Sequence, residues 1–95
     1  MKPRVIVIGP LPAQAEQIAR TYPQLDIVCF TTGRHQLGKQ LQGSDLVIGM
    51  TNFMRHSTDG AAYASVGSAY KRTTGSISSV KRIINSWLEN EYATA

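Results

Sequence analysis

The sequence predicts an α/β fold built on a parallel sheet, and two observations carry this prediction. Short segments predicted as strands, the first three of them apolar, alternate four times with segments predicted as helices along the 95 residues. The apolar segments are hydrophobic at successive positions, as in Val5-Ile6-Val7-Ile8, which is typical of strands that are buried on both faces. Because strands that alternate with helices are joined by right-handed crossovers, we expect the strands to run parallel beneath covering helices.

The first half of the chain contains two strands and two helices. Residues 4–9 are predicted as the first strand, and a helix follows over residues 13–22, where apolar residues recur at spacings of three and four. Pro23 ends this helix, because the residue before a proline avoids the helical conformation. Residues 25–30 are predicted as the second strand, and a short helix covers about residues 36–41.

The second half repeats the pattern. Residues 45–50 are predicted as the third strand, and Ser57 is a suitable N-cap for a helix that runs to about Tyr70. Residues 71–74 are predicted as a short fourth strand, although no apolar residue lies in it. Gly75-Ser76 then begins the last helix. Its apolar stripe consists of Val80, Ile83, Ile84, Trp87 and Leu88.

Together these elements predict a three-layer sandwich with a four-stranded parallel sheet, of Rossmann-like or flavodoxin-like type. A chain of this length has room for one domain, over residues 1–92, with residues 93–95 as a loose tail. The longest apolar run is too short to cross a membrane, and no signal-like segment is visible. The single cysteine fits a reducing compartment, so we expect a cytoplasmic protein. Its small size favours a homo-oligomer, most simply a dimer.

Candidate site residues follow the predicted strands. Ligands of open parallel sheets bind beyond the carboxyl ends of the strands, where loops and helix N-termini meet. Unpaired N–H groups at helix starts bind anions, and arginines can add bidentate contacts to phosphate. The alternative is structural, since serine and threonine commonly cap helices and loops are polar. The candidate ligand-binding residues are Thr32, Arg34, Thr51, Asn52, Arg55, His56, Ser57, Arg72, Thr74, Gly75 and Ser76.

Several better-defined motifs do not match. The segment Gly9-Pro10-Leu11-Pro12 fits neither the dinucleotide fingerprint nor the P-loop. Four residues separate Cys29 from Arg34, one fewer than the Cys-x5-Arg phosphatase loop requires, so Cys29 is better interpreted as a core residue. The histidines and the cysteine lack a metal-ligand spacing. We therefore predict no metal, no cofactor and no catalytic residue, while an enzymatic function stays an alternative.

Three segments resemble a family of short bacterial Rossmann-like proteins known as domain of unknown function 2325. They are Asp45-Leu46-Val47-Ile48, Thr51-Asn52-Phe53-Met54-Arg55-His56-Ser57 and Gly75-Ser76-Ile77-Ser78-Ser79-Val80. The chain differs from the family in having Pro10 after Gly9 and Arg55 before His56. The resemblance implies the same fold, with His56, Gly75 and Ser76 as site residues, and it implies no particular activity.

The charge of the chain favours an anionic ligand. The formal net charge is +4 and the isoelectric point is about 9.6. Our main hypothesis is a non-enzymatic module that binds a phosphate-rich ligand, with nucleic acid, DNA included, as the foremost candidate. One alternative is a small enzyme or sensor for a phosphorylated metabolite or nucleotide, with His56 as acid or base. Another is a protein–protein interaction domain. Phe53 either anchors its loop or stacks on a base.

Overall fold

The computed structural model describes residues 2–30 and 37–92, and these residues form four strands and four α-helices. The predicted tail at residues 93–95 lies outside the described residues. The strands are β1 (Arg4–Ile8), β2 (Asp26–Phe30), β3 (Leu46–Met50) and β4 (Tyr70–Thr73). The helices are α1 (Pro12–Thr21), α2 (Leu37–Leu41), α3 (His56–Val66) and α4 (Ile77–Trp87). Short 3-10 turns cover Thr51–Phe53 and Gly67–Ala69, and a π-helical turn covers Leu88–Tyr92.

The sheet has the order β2-β1-β3-β4, and every neighbouring pair is parallel. The predicted α/β fold with a four-stranded parallel sheet is thereby confirmed. Residues 5–8 of β1 and all five residues of β3 are buried, as expected for the two central strands of a sheet that is covered on both faces. The N-terminal ends of these strands are joined by Asp45, whose carboxylate accepts the N–H of Arg4 at 2.9 Å.

Side chains alternate along the strands, so the core divides into two clusters on opposite faces of the sheet. The first cluster includes Val5, Val7 and Ile48 of the sheet, and it is completed by Ile18 from α1 and by residues of α4. The second cluster includes Ile6, Ile8 and Val47, with Leu41 from α2 and Ala62 from α3. Helices thus cover both faces of the sheet, which gives the predicted three layers.

The structure corrects the predicted boundaries around α3 and β4. Ser57 is not the N-cap of α3, because the helix begins at His56. Arg55 occupies the N-cap position with an extended backbone. The helix also ends at Val66, where Gly67 adopts φ +57. Tyr70, which was expected at the end of that helix, is the first residue of β4 and is buried. This tyrosine supplies the apolar contact that residues 71–74 lack.

Cys29 is a partly buried residue of β2 and packs against the first core cluster. Burial raises the pKa of the Cys29 thiol to about 11. The structure therefore agrees with the interpretation of Cys29 as a core residue.

We expect the Cys29 thiol to react slowly in the folded protein. Since the thiolate is the reacting species, its alkylation by iodoacetamide at about pH 8 should be about two orders of magnitude slower than that of an unstructured cysteine. The measurement is the rate of mass increase under native conditions, and the same chain unfolded in urea is the control. Equal rates in the folded and unfolded chain would contradict the burial of this group.

Candidate ligand site at the carboxyl end of the sheet

The turn between β3 and α3 forms a cleft at the carboxyl end of the sheet. The chain leaves β3 through the 3-10 turn at Thr51–Phe53 and enters α3 at His56. The cleft has a volume of about 220 Å³. Arg55 and His56 are exposed to solvent, whereas Thr51 and Asp59 are half-buried. The residues that line it are Thr51, Met54, Arg55, His56 and Asp59. Three of the predicted site residues therefore share one cavity.

Two hydrogen bonds bring the turn after β4 beside the turn after β3. The N–H of Asn52 donates to the carbonyl oxygen of Thr74 at 3.0 Å, and Oγ1 of Thr51 donates to the carbonyl oxygen of Thr73 at 3.0 Å. The two loops meet because parallel neighbouring strands end at the same edge. The predicted residues Asn52 and Thr74 are thus in direct contact.

Ser76 begins α4 as a side-chain N-cap. Its Oγ accepts the N–H of Ser79 at 3.0 Å, and its hydroxyl donates to Oγ of Ser79 at 2.8 Å. This is the capping interaction that serine favours, because it satisfies one of the unpaired N–H groups in the first helical turn. In this structure Ser76 therefore stabilises the start of α4, which agrees with the structural alternative for this residue.

Phe53 packs against the turn that precedes α4. Gly75 has φ +145, and a Cβ added there would lie 2.6 Å from Cε2 of Phe53. The glycine thus lets the aromatic ring approach the backbone closely. Phe53 stays about half exposed, at 47%. The contact is of the kind that an anchor for the loop would make.

Arg72 is bound to a carboxylate of the neighbouring helix. Its Nε donates to Oδ1 of Asp59 at 2.7 Å, and the hydroxyl of Tyr70 donates to the same oxygen at 2.7 Å. The guanidinium also lies 5.4 Å from the ring centroids of Tyr63 and Tyr70, within the range of cation–π contact. Arg72, which was predicted to bind an anion, therefore forms an ion pair that connects β4 to the first turn of α3.

Met54 and Asp59 line the cleft but were not among the predicted site residues, and Asp59 is the charged one of the two. A carboxylate in the first turn of a helix is explained by the helix dipole alone, so the sequence around Asp59 does not by itself indicate a site. The available signal was the spacing of Tyr70 and Arg72. Two residues apart on one strand, they project from the same face, and both can donate a hydrogen bond to one acceptor.

The contacts of Asp59 determine the ionisation of this group. The hydrogen bond from Arg72 is the main cause that lowers the pKa of the Asp59 carboxyl, so the carboxylate is ionised at neutral pH. Burial, followed by the hydrogen bond to Asp59, raises the pKa of the Tyr70 hydroxyl, which keeps its proton. The charge of Asp59 is offset by Arg72, and Arg55 leaves the cleft positively charged.

We expect the Asp59→Asn variant to be less stable than the wild type at neutral pH, with a difference that narrows in acid. Because the pKa of Asp59 is lowered in the folded protein, its contribution is present above the ordinary carboxyl pKa and is lost as the pH falls through the folded value. Melting temperatures of both proteins from neutral pH to about pH 2 would show the convergence. A difference that stays constant with pH would contradict the ion pair.

The other predicted residues have different outcomes. Ser57 is exposed in the first turn of α3 and does not cap it. Thr32 and Arg34 lie outside the described residues, so their place relative to the cleft stays a prediction.

Comparison of the chain with family models, curated protein sequences and solved structures gave no match. The resemblance to domain of unknown function 2325 therefore stays a prediction. Within residues 2–30 and 37–92, no helix combines the length and apolar character needed to span a membrane. The same residues contain no group of three or more metal-ligating side chains that could hold an ion.

Proposed function

We propose that this chain is a non-enzymatic module that binds the phosphate groups of a nucleic acid at the carboxyl end of its sheet. The observation that carries the proposal is the cleft shared by Thr51, Arg55 and His56 at the start of α3. Its one carboxylate among the described residues, Asp59, is already paired with Arg72. A phosphate that enters the cleft would therefore face an arginine without meeting an unneutralised acid.

Each part of the cleft has a role in this proposal. Arg55 is exposed at the N-cap position, where its guanidinium can make bidentate contacts to phosphate oxygens. The N–H groups of residues 56–58 at the start of α3 have no partner within the helix, and they add the positive end of the helix dipole. His56 contributes a polar ring along the wall, whereas the hydroxyl of Thr51 donates to the carbonyl oxygen of Thr73 and holds the turn in place. Such contacts position a sugar–phosphate backbone and carry little sequence information.

The net charge of +4 adds a long-range attraction, although a single copy of the chain would bind weakly. A homodimer would double the basic surface and so strengthen binding, and we include a dimer in the proposal. We place the module in the cytoplasm because a single cysteine is typical of proteins from reducing compartments.

Binding of labelled single-stranded and double-stranded DNA, followed by fluorescence anisotropy across a salt series, tests the proposal. We expect affinity to fall steeply with salt, and Arg55→Glu to weaken binding by about tenfold or more. Lys2→Glu makes the same change of charge at an exposed position beyond the opposite end of the sheet, and it serves as the control. Absence of binding at low salt, an affinity indifferent to salt, or equal losses in both variants would overturn the proposal.

An enzyme or sensor for a phosphorylated metabolite is the second candidate, because His56 and Asp59 line the same cleft. His56→Asn separates the two candidates when binding and turnover of phosphorylated compounds are both measured. A catalytic histidine would abolish turnover with affinity preserved, whereas a positioning histidine would alter affinity alone.

A further inference from the structure

A second cavity lies on the other face of the sheet, between β4 and α4. Its volume is about 370 Å³, larger than that of the cleft beside α3. Lys71 reaches it from β4, and the remaining residues come from α4 and the π-helical turn after it. We call this cavity the β4–α4 groove. It is lined by Lys71, Arg82, Ile83, Ser86, Trp87 and Asn90.

The groove combines positive charge with apolar surface. Lys71 and Arg82 supply two cations, and its described lining residues include no carboxylate. Ile83 and the buried Trp87 supply the apolar part. An occupant that complements this lining carries a negative charge beside an apolar group.

The groove borders the outermost strand of the sheet at Lys71. β4 is the last strand in the order β2-β1-β3-β4, and within the described part of the chain no strand pairs with its outer edge. The edge of a sheet presents main-chain N–H and C=O groups to which an extended segment can add. Lys71 of this strand lines the groove, so the edge strand itself supplies one of its two cations.

We propose that the β4–α4 groove binds an extended, acidic peptide segment of a partner protein, which adds a fifth strand beside β4. Alternate side chains of an extended segment face the same side, so every second residue of the peptide would enter the groove. Carboxylates of that segment pair with Lys71 and Arg82, and an apolar side chain packs on Ile83 and Trp87. This proposal is independent of phosphate binding at the carboxyl end of the sheet.

Charge complementarity favours this occupant over two others. A second copy of the chain paired through β4 would bring two Lys71 side chains together on molecules of net charge +4, and edge lysines oppose such pairing. A nucleic acid could satisfy the cations, but it would leave the open strand edge unpaired. Both alternatives are outcomes of the experiment below.

The probe is a blocked hexapeptide with glutamate at positions 1 and 5, valine at position 3 and threonine at the other positions, so that both glutamates and the valine face the same side. It is titrated into the ¹⁵N-labelled protein and followed by NMR. We expect saturable shifts of the β4 amides and of the Trp87 indole N–H. Lys71→Glu and Arg82→Glu should each weaken binding by about tenfold or more. Lys39→Glu, an exposed change of the same charge on α2 across the sheet, should leave the affinity unchanged. A peptide N-methylated at alternate positions should lose binding, since it cannot complete the main-chain pairing.

Several results would overturn the proposal. The first is absence of saturable shifts at millimolar peptide. The second is equal binding of the same hexapeptide with lysine in place of both glutamates, which would remove the role of charge. Undiminished binding of the N-methylated peptide would remove the added strand. Shifts of the same signals on addition of oligothymidylate alone would assign the groove to nucleic acid. Shifts of these signals with protein concentration, in the absence of any peptide, would assign the groove to a second copy of the chain.

Discussion

Gly49→Ala is expected to lower the free energy of unfolding by about 3 kcal/mol, although it adds only one methyl group. Gly49 lies in the buried strand β3, where the side chain of Tyr70 from β4 crosses directly over it. A Cβ at this position would overlap the Tyr70 hydroxyl oxygen and lie 2.7 Å from Cζ of the same ring. The ring must move, and its hydrogen bond to Asp59 is then lost.

Urea unfolding of Gly49→Ala measures this cost, and Gly60→Ala is the matched control. Gly60 lies within α3 with open space where its Cβ would stand, so alanine there should stabilise the protein by about 0.5–1 kcal/mol. Tyr70→Phe in the Gly49→Ala background should recover little, because ring carbons also overlap the new methyl group. Equal stabilities of Gly49→Ala and the wild type would show that Tyr70 does not pack against Gly49.

Gly75→Ala should cost a similar amount, about 3 kcal/mol, for two separate reasons. The backbone of Gly75 has φ +145, a conformation that residues with a Cβ rarely adopt. The added Cβ would also lie 2.6 Å from Cε2 of Phe53, so the ring would be displaced from the loop at the end of the sheet. We expect a lower unfolding midpoint in urea and a changed environment of the Phe53 ring in NMR spectra.

The two causes can be separated by variants. Gly43 also has a positive φ, at +82, but nothing lies where its Cβ would stand, so Gly43→Ala should cost only the backbone strain of about 1 kcal/mol. The double variant with Phe53→Ala and Gly75→Ala should lose less stability than the sum of the two single changes. Strict additivity would contradict the contact between Gly75 and Phe53.

The sequence predicted the fold well because burial leaves a simple pattern in it. The strands β1 and β3 are apolar at nearly every position, and such runs indicate central strands of a parallel sheet. The predicted N-cap of α3, Ser57, was wrong by two positions, because Arg55 occupies the N-cap. Serine is favoured at an N-cap, but its presence does not determine where the helix begins. β4 was weakly indicated, because the residue that packs it, Tyr70, also fitted the helical spacing before it.

The candidate site was predictable in its location and less so in its contacts. Thr51, Arg55 and His56 share a cleft because they follow a single strand, and Asn52 meets Thr74 because their strands are parallel neighbours. The ion pair of Asp59 with Arg72 depends on how far α3 lies from β4. That distance follows from packing, which the local pattern of residues does not encode.

The position of β4 has a consequence for how the molecule opens. The strand has four residues, it is bonded to the sheet on one side, and Asp59 holds two of its side chains. When β4 separates from β3, the hydrogen bonds of Tyr70 and Arg72 to Asp59 break as well. We therefore expect β4 and the first turn of α3 to open as one cooperative unit. Their amide protons should therefore exchange with solvent together, and sooner than those of β1, which has a strand on either side.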